Sequence, residues 1–345
     1  MSSHNLAMLI GNGVSIAFSD NLLLKNITTQ VIARITQKYG GRGDEVAQAM
    51  QKIAIRTRAD NPAEDFESLI GAFGGQTDIL DDLRSYALLT EEGYGIAQAI
   101  SEVIHFVQGV RQRGIGHTLE TIVDNSTPNK GSFASLSIFL RTAIDAFPGS
   151  VSIANLNYDA LVLSALTTDY KDEFCDMGVG WGAYTETNLG KTPYTAHRLR
   201  SKIDFPSSKR IKLLDLHGSV TFWKIGSHYS KIPLEVAREQ DVWESYRSMQ
   251  TEAFPLVVLA NQHDKIDHVK RHPFKLAYEA AEIDFRSSEN WIVAGYSFRD
   301  TCVNDLLRRC WEARDKKPNP VRYERPRTYR FRHRNCIQLG SGKSA

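Results

Sequence analysis

Leu6-Ala7-Met8-Leu9-Ile10-Gly11-Asn12-Gly13-Val14-Ser15 is the stretch from which the rest of the chain is read. Its apolar run, Leu6 to Ile10, predicts a short buried strand. Gly11 and Gly13 then predict a sharp turn into a helix. Glycine lets the backbone bend and approach a ligand closely, and a helix N-terminus offers unpaired N–H groups and a positive dipole end. Such a loop is a candidate phosphate cradle. Taken alone it says no more than that.

Further strands follow downstream. Val151-Ser152-Ile153-Ala154 predicts one that runs into Asn155-Leu156-Asn157-Tyr158-Asp159, and Ile211 to Leu216 predicts one that ends at His217-Gly218. Pro255 to Leu259 predicts a third of this kind, and Trp291-Ile292-Val293-Ala294 a fourth, ending at Gly295-Tyr296-Ser297. Between them the spacing is helical. Leu69, Ile70 and Phe73, and Ile100, Val103, Ile104 and Val107, recur at helix period within residues 21–147. Helices are also expected over 133–146, 273–286 and 303–313. Residues 176–208, rich in Gly, Thr, Ser and Pro, read as a loop-rich insertion. Strands alternating with helices, with polar motifs at strand ends, predict an α/β fold. Its form is a Rossmann-like open parallel sheet with a large mainly helical insertion. Residues 1–20 and 148–315 are assigned to the nucleotide-binding domain, 21–147 to the insertion and 316–345 to a basic tail.

That tail holds nine Lys or Arg and one acid, Glu324, whereas the whole 345-residue chain has a net charge of +2. The body is therefore acidic. This argues against direct nucleic-acid binding except through the tail. No apolar run reaches the ~20 residues of a membrane helix, and no signal peptide is evident. The four cysteines include no Cys-x-x-Cys pair. A reduced, cytoplasmic protein without a zinc ribbon is expected. His263, His268 and His272 with Asp264 and Asp267 match no standard metal spacing, and a polar loop is the alternative.

Two nucleotide motifs fall short. Ile16 stands where the third glycine of a dehydrogenase loop belongs, and no acid closes a strand about 20 residues on. Gly340-Ser341-Gly342-Lys343-Ser344 mimics the end of a P-loop, but Ile337 breaks it and no helix follows.

Four strand-end motifs do occur in order: Gly11-Asn12-Gly13-Val14-Ser15, Asn155 to Asp159, Leu216-His217-Gly218-Ser219 and Gly295-Tyr296-Ser297. In this the chain resembles the sirtuin-like family, over about residues 6–20, 150–165, 211–224 and 255–310. Asp65-Phe66-Glu67 is similar to bacterial members. The resemblance implies an NAD site where the nicotinamide–ribose bond is cleaved. It implies that Asn157 holds the ribose or a water, that Asp159 binds the carboxamide, and that His217 is the general base. An imidazole suits that task because its unperturbed pKa of about 6.5 is close to working pH. Gly11, Gly13 and Ser15 would cradle the pyrophosphate, with Asn12 either touching the dinucleotide or shaping the turn. Gly295 and Ser297 would line the adenosine side. On the residues alone, Asn157 and Ser297 also read as helix caps, and His217 as a turn histidine.

The chain departs from the deacylating members of that family. It lacks their zinc-binding cysteine pairs, and Ala17-Phe18-Ser19-Asp20 replaces their Asp-Phe-Arg. The helical insertion resembles that of bacterial NADases of anti-phage defence. The resemblance therefore implies an NAD glycohydrolase without metal, a homo-oligomer that works with a ring ATPase of the HerA class. A non-catalytic sensor of NAD or ADP-ribose is the alternative, and a protein deacylase the weaker one.

Overall fold

A computed structural model describes residues 4–56, 64–73, 75–90, 93–127, 131–187, 189–259 and 262–320. The first strand and turn are β1 (Leu6–Ile10) and α1 (Asn12–Phe18). Helices follow, with no strand between them among the described residues: α2 (Leu24–Tyr39), α3 (Gly43–Arg56), α4 (Phe66–Gly71), α5 (Gly75–Ala87), α6 (Gly93–Asn125) and α7 (Phe133–Asp145). The chain then forms β2 (Val151–Asn155), α8 (Leu161–Asp169), β3 (Phe174–Cys175), β4 (Gly178–Glu186), β5 (Tyr194–Leu199), β6 (Ile211–Asp215), β7 (Gly218–Ile225) and β8 (His228–Lys231). The last elements are α9 (Leu234–Ala237), α10 (Gln240–Arg247), β9 (Phe254–Val257), α11 (Gln262–His268), α12 (Phe274–Ser287), β10 (Asn290–Ala294), α13 (Thr301–Glu312) and β11 (Asn319–Pro320).

β1 lies inside a parallel sheet of order β11-β10-β1-β2-β6-β3. All five of its residues are fully buried. The reason is that helices cover both sheet faces, so a parallel strand reads as a continuous apolar run rather than an alternating one. Alternation still sorts its side chains. Leu6, Met8 and Ile10 join Val151, Ile153, Ile211 and Leu213 on the face toward the helical insertion. Ala7 and Leu9 join Ala154 and Leu214 on the opposite face, against Phe285 of α12 and Val303 and Leu306 of α13. This is the α/β, Rossmann-like arrangement with a helical insertion that the strand-end motifs predict.

Two expectations are corrected. Residues 176–208 are not simply a loop-rich insertion: β4 and β5 pair there as an antiparallel hairpin. Pro255 to Leu259 does not add a strand to the parallel sheet, because β9 pairs antiparallel with β7. Together these strands make a second sheet of order β4-β5-β8-β7-β9. Trp223 and Phe222 of β7 are core residues of this region, at most 1% exposed. β11, at the start of the basic segment, supplies the short strand after α13 that the sequence leaves unmarked. The rest of that segment, with Cys336 and Gly340 to Ser344, lies outside the described residues.

The chain leaves one sheet for the other across Leu216-His217. Gly218 makes this passage possible. Its φ is +82°, and a Cβ there would stand 2.0 Å from the Leu256 carbonyl oxygen. Any side chain would collide with β9, which explains the His-Gly pair at this junction. No helix among the described residues is long and apolar enough to cross a membrane.

Candidate active site at the carboxyl edge of the parallel sheet

The sheet register brings the four sequence motifs to one level. Ile10 pairs with Ala294 on one side and with Asn155 on the other, and Asn155 pairs with Asp215. The residues that follow this row are Gly295, Gly11, Leu156-Asn157 and Leu216-His217. They leave the sheet at its carboxyl edge, where open α/β sheets bind ligands.

Gly11, Gly13 and Gly295 interlock there. Gly11 N–H donates to the Ala294 carbonyl (2.9 Å) and Gly13 N–H to the Gly295 carbonyl (2.8 Å). A Cβ on Gly11 would lie 2.7 Å from the Gly295 oxygen, and one on Gly13 2.7 Å from Gly295 Cα. The glycines thus clasp two loops together, and two of the amide donors expected for a pyrophosphate are already engaged. The Asn12 N–H has no acceptor among the described residues. The Asn12 side chain donates to the Leu22 carbonyl at 3.2 Å, so it shapes the turn after α1. Gly13, Gly295 and Ser297 are exposed. Ser297 does not cap α13; Asp300 does, accepting from Val303 N–H at 3.1 Å.

Behind the clasp, Ser15, Asn157 and Asp159 form a buried cluster. Ser15 Oγ donates to Asp159 Oδ2 (2.6 Å) and accepts from Asn157 Nδ2 (2.8 Å), which also reaches the Gly11 carbonyl at 3.3 Å. Asn157 therefore ties β2 to the glycine turn and does not cap α8. Asp159 Oδ1 instead accepts from the first N–H of that helix, Leu161, at 3.0 Å. Burial pushes the Asp159 pKa up, and the Ser15 and Leu161 hydrogen bonds only partly reverse this. Two residues earlier, Asn155 Nδ2 donates to Asp215 Oδ1 at 2.8 Å. Burial raises the Asp215 carboxyl to about 7 despite that bond.

His217 belongs to an adjoining charged network. Its Nε2 lies 3.2 Å from Asp300 Oδ2 and 3.2 Å from the Tyr278 hydroxyl. A carboxylate can only accept, so Nε2 carries the proton and, in the neutral ring, Nδ1 holds the lone pair. Nδ1 has no hydrogen-bond partner among the described residues. Asp300 Oδ2 also accepts from Lys265 Nζ (3.0 Å), which donates to Glu67 as well (3.1 Å). Burial works against the Lys265 charge, but Glu67 and Asp300 outweigh it and raise its pKa. Burial likewise works against the Asp300 carboxylate, yet His217 and Lys265 hold it well below the usual range. An unpaired buried ammonium would cost several kcal/mol, so the two carboxylates are what permit Lys265 here. Glu67 comes from the helical insertion, placed by Asp65, which caps α4 through Glu67 N–H (2.9 Å). The Tyr158 hydroxyl lies 2.7 Å from Glu67 Oε1, and its ring is 6.3 Å from that of His217.

The structure thus places Gly11, Gly13, Ser15, Asn157, Asp159, His217 and Gly295 at one sheet edge. Ser297 stands at the exposed rim, and its side chain makes no hydrogen bond among the described residues. Sequence reading passes over Asp300 and Tyr278. Asp300 carries one signal, an acid just before a helix, but that signal points to a cap and says nothing of His217. Among the described residues no three His, Cys, Asp or Glu side chains assemble as a metal site. No protein-family model and no curated protein matches the chain.

Proposed function

We propose that this chain hydrolyses NAD, releasing nicotinamide and ADP-ribose. The observation that carries the reading is the His217–Asp300 pair beside Asn157 at the carboxyl edge of the sheet. In the proposed step the bond between the ribose C1′ and the pyridinium nitrogen breaks, and its electron pair neutralises the leaving nicotinamide. A water oxygen bonds to C1′, and His217 Nδ1 takes up the proton and returns it to solvent. Asp300 fixes the ring with Nε2 protonated and Nδ1 free, and it stabilises the imidazolium that forms. Asn157 orients the ribose or the water through its amide, in line with the family resemblance. Gly13, Gly295, Ser297 and the Asn12 N–H offer the exposed surface for the rest of the dinucleotide. The resemblance also supplies the setting we propose: NAD depletion in anti-phage defence, in the cytoplasm, by an oligomer that works with a ring ATPase.

Incubating the purified chain with NAD, alone and with such a partner, and measuring nicotinamide tests this directly. His217→Ala and Asn157→Ala should each reduce release by roughly 100-fold or more, the range for loss of a general base or an oriented polar group. Full activity in either variant would overturn the mechanism. One observation favours a second reading, a sensor that binds NAD or ADP-ribose without turnover. Asn157 and His217 are each only 4% exposed, and both already have protein partners. Tight binding with no nicotinamide released, partner present, would decide for the sensor.

A further inference from the structure

A cleft of about 610 Å³ lies away from the sheet edge, where α2 and α6 of the helical insertion meet the α9–α10 segment. Four cations line it, Arg34, Lys38, Arg238 and Arg247, against two carboxylates, Glu120 and Asp124. These charges are not evenly matched. Glu120 Oε2 accepts from both Arg34 and Arg247, at 2.5 Å each, and Arg34 also binds Asp124 at 2.6 Å. The carboxylates are thereby used by the two arginines. Lys38 and Arg238 are exposed and have no carboxylate partner among the described residues. The surplus positive charge of the cleft resides on them.

His117 lines the same cleft and is 7% exposed, with a buried Nδ1 that has no hydrogen-bond partner among the described residues. Burial first, then the charges of Arg247, Arg34, Lys38 and Arg113, pull its pKa down to about 3. The imidazole is therefore neutral and samples a strongly positive field. A cleft walled by a neutral ring and by two cations without carboxylate partners among the described residues suits an anion. The volume falls in the ~300–1,000 Å³ range of small-molecule sites.

We propose that this cleft binds a phosphate-bearing anion of nucleotide size, held by Lys38 and Arg238 at the seam between the helical insertion and the α9–α10 segment. The inference is independent of NAD cleavage, since it uses no residue of the sheet edge. Lysine and arginine recognise phosphate through charge and, for arginine, a planar fork of donors. Glu120 pre-positions the seam by joining α2 and α10 across α6. Gly116 lets that happen: a Cβ there would lie 2.6 Å from Arg247 Cγ.

The test is calorimetric titration of the full chain with ATP as the probe. Saturable binding that weakens with added salt is expected. Lys38→Glu with Arg238→Glu should weaken it at least about tenfold, the scale for reversing charges that contact a ligand, while Asn157→Ala leaves it unchanged. Both reversed residues are exposed and have no carboxylate partner among the described residues, so the fold should survive, as circular dichroism can verify. If it does not, Lys38→Gln with Arg238→Gln decides, with a smaller loss expected. Absence of saturable binding to the folded chain would overturn the proposal. So would binding that survives the charge changes, or that is lost in Asn157→Ala instead.

Discussion

Asp300 accepts from the Val303 N–H with one carboxylate oxygen and meets His217 Nε2 and Lys265 Nζ with the other. The start of α13 and the imidazole are thus fixed by a single side chain. Helix capping restrains the carboxylate rotamer, so the oxygen that faces His217 is held in place by the backbone. Asp300→Asn keeps the volume and an acceptor for Val303 but removes the charge from Nε2 and Lys265. Nicotinamide release should fall about 10- to 100-fold in kcat with little change in KM, because the variant loses stabilisation of the imidazolium and not substrate contacts. Steady-state kinetics on wild type and variant measures the split.

Lys265→Met leaves Glu67 and Asp300 facing each other in the interior without their shared cation. Breaking a buried pair on one side costs about 3–5 kcal/mol. Denaturant unfolding should show a loss of that size, far beyond the effect of Lys270→Met, whose partner Asp267 is as exposed as itself.

Gly13→Ala and Gly95→Ala should have opposite signs. A Cβ at Gly13 strikes the backbone of Gly295 at 2.7 Å, and neither loop can retreat without losing the Gly13–Gly295 hydrogen bond. Destabilisation of about 1–3 kcal/mol is expected, as for other overpacked sites. At Gly95, on the exposed side of α6, a Cβ meets nothing within 4 Å. There the helix gains about 0.5–1 kcal/mol. Paired unfolding curves separate the two.

Asp215 makes stability depend on pH. Its folded pKa of about 7 lies above the unfolded value of about 3.9. A raised folded pKa means that the proton is taken up on folding. The contribution is therefore fully present below about pH 4 and lost as pH rises through about 7. Asp215→Asn retains an acceptor for Asn155 and carries no charge. It should be more stable than wild type by roughly 2–4 kcal/mol at about pH 8 and equal to it at about pH 4. Unfolding free energies across that range provide the check.

The parts that sequence reading recovers share one property: their signal is local. β1, β2, β6 and β10 are short apolar runs that end in distinctive polar residues, so strand and motif are read together. Asn157 and His217 fall at the sheet edge for the same reason, since each follows one of these strands. The antiparallel sheet escapes because β4, Gly178-Val179-Gly180-Trp181-Gly182, is rich in glycine and exposes Gly180 and Trp181 in succession, so it lacks the clean alternation of a strand and mimics a loop. β9 is misassigned because an apolar run does not say which sheet it joins. Glu67, Lys265 and Asp300 come from α4, α11 and the α13 cap, nearly two hundred residues apart at the extremes of the Glu67–Lys265 pair. Only the fold brings them to His217, and no spacing in the chain announces it.

The place of β1 in the sheet has a consequence during synthesis. Its two neighbours are β2, which begins at Val151, and β10, which begins at Asn290. A ribosome adding ~5–20 residues per second leaves tens of seconds between the first strand and its last partner. Throughout that interval Leu6 to Ile10 presents an apolar strand with at least one bare edge, and with two until β2 is made. The nascent chain is then at its most vulnerable to pairing with another copy of itself. Pairing with β10, locked by the glycine clasp of residues 11–13 on residue 295, ends this exposure, and substitutions in the clasp should raise the insoluble fraction of the protein on expression.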